Sequence, residues 1–220
     1  MTSYYADDLV TIYHGDLCDM DFSWWTNQYS EASVMVTDPP YGISYQSGQA
    51  VSLPASIAND TDNSYRDHAV FMWGNRPALV FGSWTRPAPT GTRMALVWDK
   101  GPALGMGALD LPWKPSWDLI YVIGGGFHGH RDGGVLRVSP VQSMAKNGRT
   151  HPHEKPVDLM RALLQKCPPG GVLDPFMGTG ATLVAAKSLG RRAIGVEIEE
   201  RYCEIAARRC AQEVLDFNVA

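Results

Sequence analysis

The chain has 220 residues, 45% of them hydrophobic, and a formal net charge of −4 at pH 7. This length and composition predict one domain, over residues 1–220, with a substantial core. No run of about 18 apolar residues occurs, so no membrane-spanning helix is expected. The first residues lack the basic start and apolar stretch of a signal peptide. The four cysteines show no CxxC spacing, which is typical of free thiols in a reducing cytoplasm.

The chain opens with a strand pattern that leads to an acidic residue. Residues 9–13 are apolar and β-branched, and Asp16 follows them after a short turn. Residues 19–29, with several aromatic side chains, predict a short and partly irregular helix. The next apolar run, 33–37, predicts a second strand.

The second strand pattern is followed directly by Asp38-Pro39-Pro40-Tyr41. Two prolines after an acid hold the backbone extended and offer no N–H groups. A carboxylate and a free carbonyl are then left beside an aromatic ring. We expect Asp38 and the Pro39 carbonyl to accept two hydrogen bonds from one amino group, while a flat ring stacks on Tyr41.

The middle of the chain combines a long polar loop with further strand patterns. Residues 42–63 are rich in small polar side chains, which is typical of a lid or binding loop beside a site. A helix is predicted over 65–73 and a buried strand over 78–81. The strands at 93–98 and 117–123 have no helical pattern between them, so we expect them to form a hairpin.

The segment 127–155 is basic, although the whole protein is acidic. It contains five Lys and Arg residues against two acidic ones, a local net charge of +3. Such a cluster favours contact with phosphates, and a solvated basic loop is the alternative. The basic side chains are Arg131, Arg137, Lys146, Arg149 and Lys155. A helix is predicted directly after them, over 157–166.

The last third of the chain contains a strand, a glycine turn, a helix and a second strand. The first strand, 170–173, leads into Asp174-Pro175-Phe176-Met177-Gly178-Thr179-Gly180, and an Ala-rich helix over 182–189 follows. Glycines let a backbone approach a ligand, and a helix N-terminus offers free N–H groups. The second strand ends in Glu197, and an acid at that point usually holds ribose hydroxyls. The unit therefore predicts a nucleoside site, and a helix over 199–214 closes the chain.

The motif at Asp38 and the later glycine turn together resemble the S-adenosylmethionine-dependent DNA amino-methyltransferases. The order, with the catalytic motif first and the cofactor turn last, is similar to their circularly permuted β group. The resemblance covers nearly the whole chain. Both the resemblance and the seven strand patterns predict an α/β fold, a doubly wound and mostly parallel sheet with ligands at the carboxyl ends of its strands.

The resemblance implies a role for each matching residue. The catalytic residues would be Asp38, Pro39, Pro40 and Tyr41. The cofactor, S-adenosylmethionine, would be bound by Asp16, Lys155, Asp174, Pro175, Phe176, Gly178, Thr179, Gly180 and Glu197. A short target-recognition insert is expected around residues 125–150. Contacts to double-stranded DNA are expected from Tyr45, Arg131, Arg137, Lys146 and Arg149.

The predicted reaction is methylation of the N6 amino group of adenine in double-stranded DNA, with the base flipped out of the duplex. N4-cytosine methylation is the nearest alternative, and relatives with that activity more often begin the motif with Ser than with Asp. Cytosine C5 methylation is excluded, because it needs a cysteine after a proline and none occurs here. An RNA methyltransferase and a non-catalytic nucleic-acid-binding protein are further alternatives.

No metal site is predicted, because the histidines and glutamate at 151–154 lack a second, distant set of ligands. The expected setting is the bacterial cytoplasm, or the host cytoplasm for a phage-encoded enzyme. The recognition sequence, a homodimer and a restriction-enzyme partner are left open.

Overall fold

A computed structural model describes residues 2–42, 61–102, 110–114, 116–141 and 154–212. These ranges form nine strands, five α-helices and a short 3-10 helix, Leu17–Asp19. The strands are β1 (Tyr5–Ala6), β2 (Val10–His14), β3 (Ala32–Thr37), β4 (Ala78–Gly82), β5 (Thr92–Asp99), β6 (Trp117–Ile123), β7 (Val135–Arg137), β8 (Gly171–Asp174) and β9 (Ala193–Glu197). The helices are α1 (Phe22–Glu31), α2 (Ser64–Trp73), α3 (Val157–Leu164), α4 (Ala181–Ser188) and α5 (Glu200–Ala211). Within these ranges no helix is both long and apolar enough to cross a membrane.

All nine strands belong to one mixed sheet in the order β1-β2-β9-β8-β3-β4-β6-β5-β7. The central run from β2 to β4 is parallel throughout. Strand β6 is antiparallel to both β4 and β5, which confirms the predicted hairpin. Because parallel strands point the same way, the carboxyl ends of β2, β9, β8, β3 and β4 meet at one edge of the sheet.

The predicted count of seven strands is wrong, since the described residues form nine. Each of the seven predicted patterns is a strand. The two others, β1 and β7, have two and three residues and lie at the outer edges of the sheet. Segments this short contain too few positions for an alternating pattern, so only their pairing with β2 and β5 reveals them.

Helices cover both faces of the sheet, and alternate side chains of each strand point to opposite faces. In β3, Val34 and Val36 pack with α3, α4 and α5 on one face. On the other face, Met35 packs with Trp25 of α1 and Trp73 of α2. This doubly covered sheet explains the nearly continuous apolar strands, and it leaves the strand ends as the place for polar chemistry.

Candidate active site

Four predicted acidic residues lie at the carboxyl edge of the parallel strands. Asp174 ends β8 and Glu197 ends β9, while Asp38 and Asp16 follow β3 and β2 within two residues. The strand register aligns these ends, since His14 of β2 pairs with Glu197. The fold therefore gathers acids that are up to 181 positions apart in the sequence along one edge.

Asp38 has both carboxylate oxygens engaged by other predicted site residues. The Tyr41 hydroxyl donates to Oδ1 of Asp38 over 2.8 Å. The Lys155 ammonium donates to Oδ2 over 2.5 Å and to the Tyr41 hydroxyl over 3.2 Å. These bonds join the end of β3 to the segment that leads into α3. Asp38, Tyr41 and Lys155 therefore form one cluster, as three of the residues that the sequence assigned to the site.

Lys155 is nearly enclosed, with 5% of its side chain exposed. Its Nζ lies 5.0 Å from the centre of the Phe81 ring and 6.0 Å from that of Trp98. A second carboxylate, Asp118 at the start of β6, has Oδ2 at 4.0 Å from the same Nζ. Asp118 also pairs with Lys100 over 2.7 Å. Two acids and two lysines thus form a chain of alternating charge beside the Asp38 motif.

Asp174 connects the glycine turn to the Asp38 motif. Its Oδ1 accepts hydrogen bonds from the Thr37 hydroxyl over 2.7 Å and from the Phe176 N–H over 3.2 Å. Burial raises the pKa of Asp174 to about 6, against hydrogen bonds from Thr182 and Thr37 that lower it. Thr37 directly precedes Asp38, so this bond fixes the two halves of the site relative to each other.

The glycine turn is held by the acid at the end of the neighbouring strand. Oε2 of Glu197 accepts from the Gly178 N–H over 3.0 Å, and Oε1 accepts from the Glu199 N–H over 2.8 Å. Burial raises the pKa of Glu197 to about 7. Gly178 and Gly180 have left-handed φ values of +51° and +79°. Such backbone favours glycine, which explains the residue type at these two positions.

The turn leaves room for a ligand at Gly178 but not at Gly180. Among the residues that the structure describes, no atom beyond its chain neighbours lies within 4 Å of the position that a Cβ would take on Gly178. A Cβ on Gly180 would meet the Cβ of Ala206 in α5 at 2.8 Å. Gly180 therefore allows close packing of α5, whereas Gly178 opens the backbone towards the strand edge.

Asp16 lies at the same edge, on the 3-10 helix that follows β2. Its Oδ1 accepts from the Cys18 N–H over 2.8 Å and caps this short helix. Its Oδ2 accepts from the Tyr65 hydroxyl of α2 over 3.1 Å. The neighbouring Gly15 N–H donates to the Glu197 carbonyl over 2.9 Å. Asp16 therefore has a structural role as an N-cap, and its predicted cofactor role stays a prediction.

An arginine of α5 reaches the glycine turn, although the sequence analysis assigned it no role in the site. Nη1 of Arg209 donates to both the carbonyl and the hydroxyl of Thr179 over 2.9 Å. The same nitrogen pairs with the Glu154 carboxylate over 3.0 Å. Glu154 precedes Lys155, so Arg209 links the glycine turn to the segment that carries Lys155.

The two predicted DNA contacts that the structure describes, Arg131 and Arg137, lie at opposite ends of the strands. Arg137 is exposed at the carboxyl edge, where it ends β7 and pairs with Asp99 over 3.5 Å. Arg131 lies in the loop that follows β6, which runs against the direction of β4. Its two neighbours in the sequence contact Lys166, which follows the carboxyl end of α3. Lys155 precedes the amino end of the same helix. The structure therefore separates Arg131 from Asp38.

Three predicted DNA contacts, Tyr45, Lys146 and Arg149, lie outside the described residues. The histidines of the rejected metal set, His151 and His153, lie outside them as well. Among the residues that are described, no three His, Cys, Asp or Glu side chains are grouped as metal ligands.

Comparison with known proteins identifies the family. Residues 73–208 match the N6/N4 methyltransferase family, described as "DNA methylase". The chain is 43% identical over 77 residues to the type II methyltransferase M2.DpnII of Streptococcus pneumoniae, which covers 34% of this chain and 29% of that protein. It is 27% identical over 201 residues to the putative methylase YubD of Escherichia coli, covering 80% of this chain and 81% of that protein.

Two solved structures share the fold over most of their length. M1.HpyAVI, solved as a complex with SAM, superposes with a TM-score of 0.67 at 20% identity, covering 93% of this chain and all of that one. The cytosine-N4-specific PvuII DNA methyltransferase gives a TM-score of 0.66 at 15% identity, covering 99% and 90%. The fold, the matched segment and the two motifs agree, and the chain belongs to the N6/N4 DNA methylase family.

Proposed function

We propose that this protein is an S-adenosylmethionine-dependent DNA methyltransferase that modifies the exocyclic N6 amino group of adenine. The observation that carries the proposal is the meeting of two half-sites at one sheet edge. The Asp38 motif provides acceptors for an amino group, and the glycine turn with Glu197 provides a nucleoside site. Thr37 and Asp174 connect the two over a 2.7 Å hydrogen bond.

The residues at the glycine turn fit S-adenosylmethionine. Gly178 offers open backbone, and the Glu197 carboxylate lies beside it at the end of β9. Two oxygens of one carboxylate suit the two vicinal hydroxyls of a ribose. Asp16, two residues after the adjacent β2, would contact the adenine end, and Phe176 is partly buried next to the turn. When bound, the cofactor supplies an electrophilic methyl group.

The Asp38 motif would hold and orient the methyl acceptor. The exocyclic nitrogen of adenine is a poor nucleophile, because its lone pair is delocalised into the ring. Asp38 and the Pro39 carbonyl would accept both amino hydrogens and so direct the lone pair towards the methyl group. Tyr41 would stack on the base. Positioning and fixed dipoles of this kind lower the barrier without a covalent intermediate.

Double-stranded DNA is the proposed substrate, and the target base is flipped out of the helix to reach Asp38. The partly exposed Asp38 and the exposed Arg137 lie at the same sheet edge, where the backbone of a duplex would pass. The motif order along the chain, with Asp38 directly after β3 and the glycine turn after β8, supports membership of the permuted β group.

N4-cytosine methylation is the second candidate, because the same acceptors suit the cytosine amino group. The fold shared with PvuII DNA methyltransferase fits this candidate equally. Asp rather than Ser at position 38 favours adenine, as the resemblance implies.

The proposed reaction is tested with methyl-labelled S-adenosylmethionine and unmethylated bacterial chromosomal DNA. The DNA is digested to nucleosides, which are then separated. We expect label in N6-methyl-2′-deoxyadenosine. Label in the N4-methylcytosine nucleoside would overturn the base assignment while leaving the mechanism intact. Bound cofactor with no label in DNA would contradict the proposed function.

A further inference from the structure

The Lys155 ammonium occupies the position at Asp38 that the proposed mechanism gives to the target amino group. It donates to Oδ2 of Asp38 over 2.5 Å, and its hydrogen bond to the Tyr41 hydroxyl places it within the same pocket. An ammonium and an amino group are both N–H donors, so they compete for this acceptor. A base that binds Asp38 must therefore displace Lys155 or share the carboxylate with it.

A displaced Lys155 needs another partner, since a buried lysine without a counter-ion is costly. Its side chain is 5% exposed, and the aromatic rings of Phe81 and Trp98 enclose it. Oδ2 of Asp118 lies 4.0 Å from Nζ, which is slightly too far for a hydrogen bond and close enough to be reached by a rotamer change. Asp118 is 18% exposed, so it is a partly desolvated carboxylate.

We propose that Lys155 is a displaceable counter-ion of Asp38, and that Asp118 receives it when the target base binds. Before the base binds, the Lys155 ammonium holds the Asp38 carboxylate in place and balances its negative charge. The arriving amino group takes the hydrogen bond at Oδ2, and the ammonium moves to Asp118. Lys155 is thus a positioning residue that acts through Asp38. The identity of the displacing group rests on the proposed function. The two-carboxylate arrangement, in which Lys155 can pair with either Asp38 or Asp118, does not.

The segment that carries Lys155 is also tied to the cofactor half of the site. Glu154 pairs with Arg209, which in turn holds Thr179 of the glycine turn. This ion pair holds the Glu154 side chain against the cofactor half, so we expect the shift to be made mainly by the flexible side chain of Lys155. Lys100, the other partner of Asp118, would balance the charge when two acids share two lysines.

Thermal unfolding of variants tests the shift without any substrate. Asp38→Asn removes the negative charge that attracts the Lys155 ammonium. Asp118 should then be the main counter-ion of Lys155. We expect Asp118→Asn to lower the melting temperature by about 5 °C more in the Asp38→Asn protein than in the wild type. This extra loss should vanish in proteins that also carry Lys155→Met, because they have no ammonium to lose a partner.

Kinetics test the consequence of the shift. Asp118→Asn should lower kcat/KM for unmethylated bacterial DNA about tenfold and leave the dissociation constant of the cofactor unchanged. In a Lys155→Met background the same substitution should change kcat/KM less than about threefold. Lys166→Met, which removes a surface lysine paired with Asp132, is the matched control and should change neither quantity.

The outcomes separate the two proposals. Equal thermal losses from Asp118→Asn with and without Asp38→Asn would overturn the displacement of Lys155, even in a protein that methylates DNA. A coupled thermal loss together with no methyl transfer to DNA by the wild-type protein would support the two-carboxylate arrangement and contradict the proposed function.

Discussion

Glu197 combines two properties that would make its charge state important for the proposed cofactor binding. It lies at the end of β9, where its oxygens accept from two backbone N–H groups, and burial raises its pKa to about 7. The ionised carboxylate is the better acceptor for ribose hydroxyls. Cofactor binding would therefore favour the ionised form, and the affinity should depend on pH near neutrality.

We expect the affinity for S-adenosylmethionine to fall below pH 7, by up to about tenfold per pH unit. Glu197→Gln, which keeps the shape and cannot ionise, should bind more weakly at pH 8 and show no such dependence. Calorimetric titration between pH 6 and 8.5 measures both proteins. An equally steep fall of the affinity in Glu197→Gln would assign the titration to another group.

The same pKa shift makes a prediction for stability. An acid whose pKa is raised from 4.5 to about 7 on folding retains its proton in the native state over that interval. Its contribution to the free energy of unfolding is therefore fully present below pH 4.5 and is lost as the pH rises through 7. Glu197→Gln should show a smaller decline between pH 5 and 7.5, measured by urea denaturation. A steeper decline of the free energy of unfolding in the variant would contradict the predicted direction of the pH effect.

At the scale of the element, the glycine turn between β8 and α4 provides a test with a close internal control. Gly178 and Gly190 have φ values of +51° and +67°, and in the described part of the chain neither has an atom beyond its chain neighbours within 4 Å of the point where a Cβ would lie. Replacing either by Ala costs about 1–2 kcal/mol of stability through the strained left-handed backbone. Only Gly178 faces the proposed cofactor, whereas Gly190 follows α4.

We expect Gly178→Ala and Gly190→Ala to lose similar amounts of stability in thermal unfolding. Gly178→Ala should weaken S-adenosylmethionine binding at least about tenfold, because its methyl group would occupy ligand space. Gly190→Ala should bind the cofactor as the wild type does. Equal affinities in the two variants would remove Gly178 from the proposed cofactor site.

Elements with strong local patterns were predictable from the sequence. The buried strands β3, β4 and β8 are mostly apolar runs, and the predicted site residues Asp38 and Asp174 lie at the ends of β3 and β8. Strand β7 was not predictable, because three residues hold no periodicity. The roles of Asp118 and Arg209 were not predictable either. Asp118 reaches Lys155 only through the antiparallel pairing of β6, and Arg209 occupies a helical position that is typical of a solvated face.

Across the molecule, exposed arginines lie at two opposite edges of the mixed sheet. Arg137 lies at the carboxyl edge with 80% of its side chain exposed, and it pairs with Asp99 over 3.5 Å. Arg192 precedes β9 and therefore lies at the opposite edge, 68% exposed and paired with Glu31 over 3.4 Å. These two ion pairs are similar in exposure and distance, so they differ mainly in location.

We expect Arg137→Ala to weaken binding to a DNA duplex and to reduce the slope of log affinity against log salt concentration by about 0.9, the value for one phosphate contact. Arg192→Ala should leave both unchanged. Fluorescence anisotropy over a series of salt concentrations measures the two variants. A change of slope for Arg192 and none for Arg137 would place the DNA on the other edge.

Arg131 lies away from the carboxyl edge that carries Arg137. A count of charges along the sequence does not reveal such a separation in space. The basic residues of 127–155 are close in sequence, yet between Arg131 and Arg137 the chain runs along β7 towards the carboxyl ends of the strands. Local net charge therefore predicted a phosphate-binding region without fixing which of its side chains share a surface. The positions of Asp38 and Asp174 were easier to predict. Each lies at the end of a recognisable strand, and parallel strands bring such positions to one edge.

In the proposed site, Asp38 orients the methyl acceptor, while the glycine turn and Glu197 bind the cofactor. The most direct measurement combines methyl transfer to DNA with the dissociation constant of S-adenosylmethionine for Asp38→Asn. We predict that this variant loses methyl transfer at least about 100-fold and keeps a cofactor affinity within about twofold of the wild type. Methyl transfer at the wild-type rate by Asp38→Asn would contradict the account.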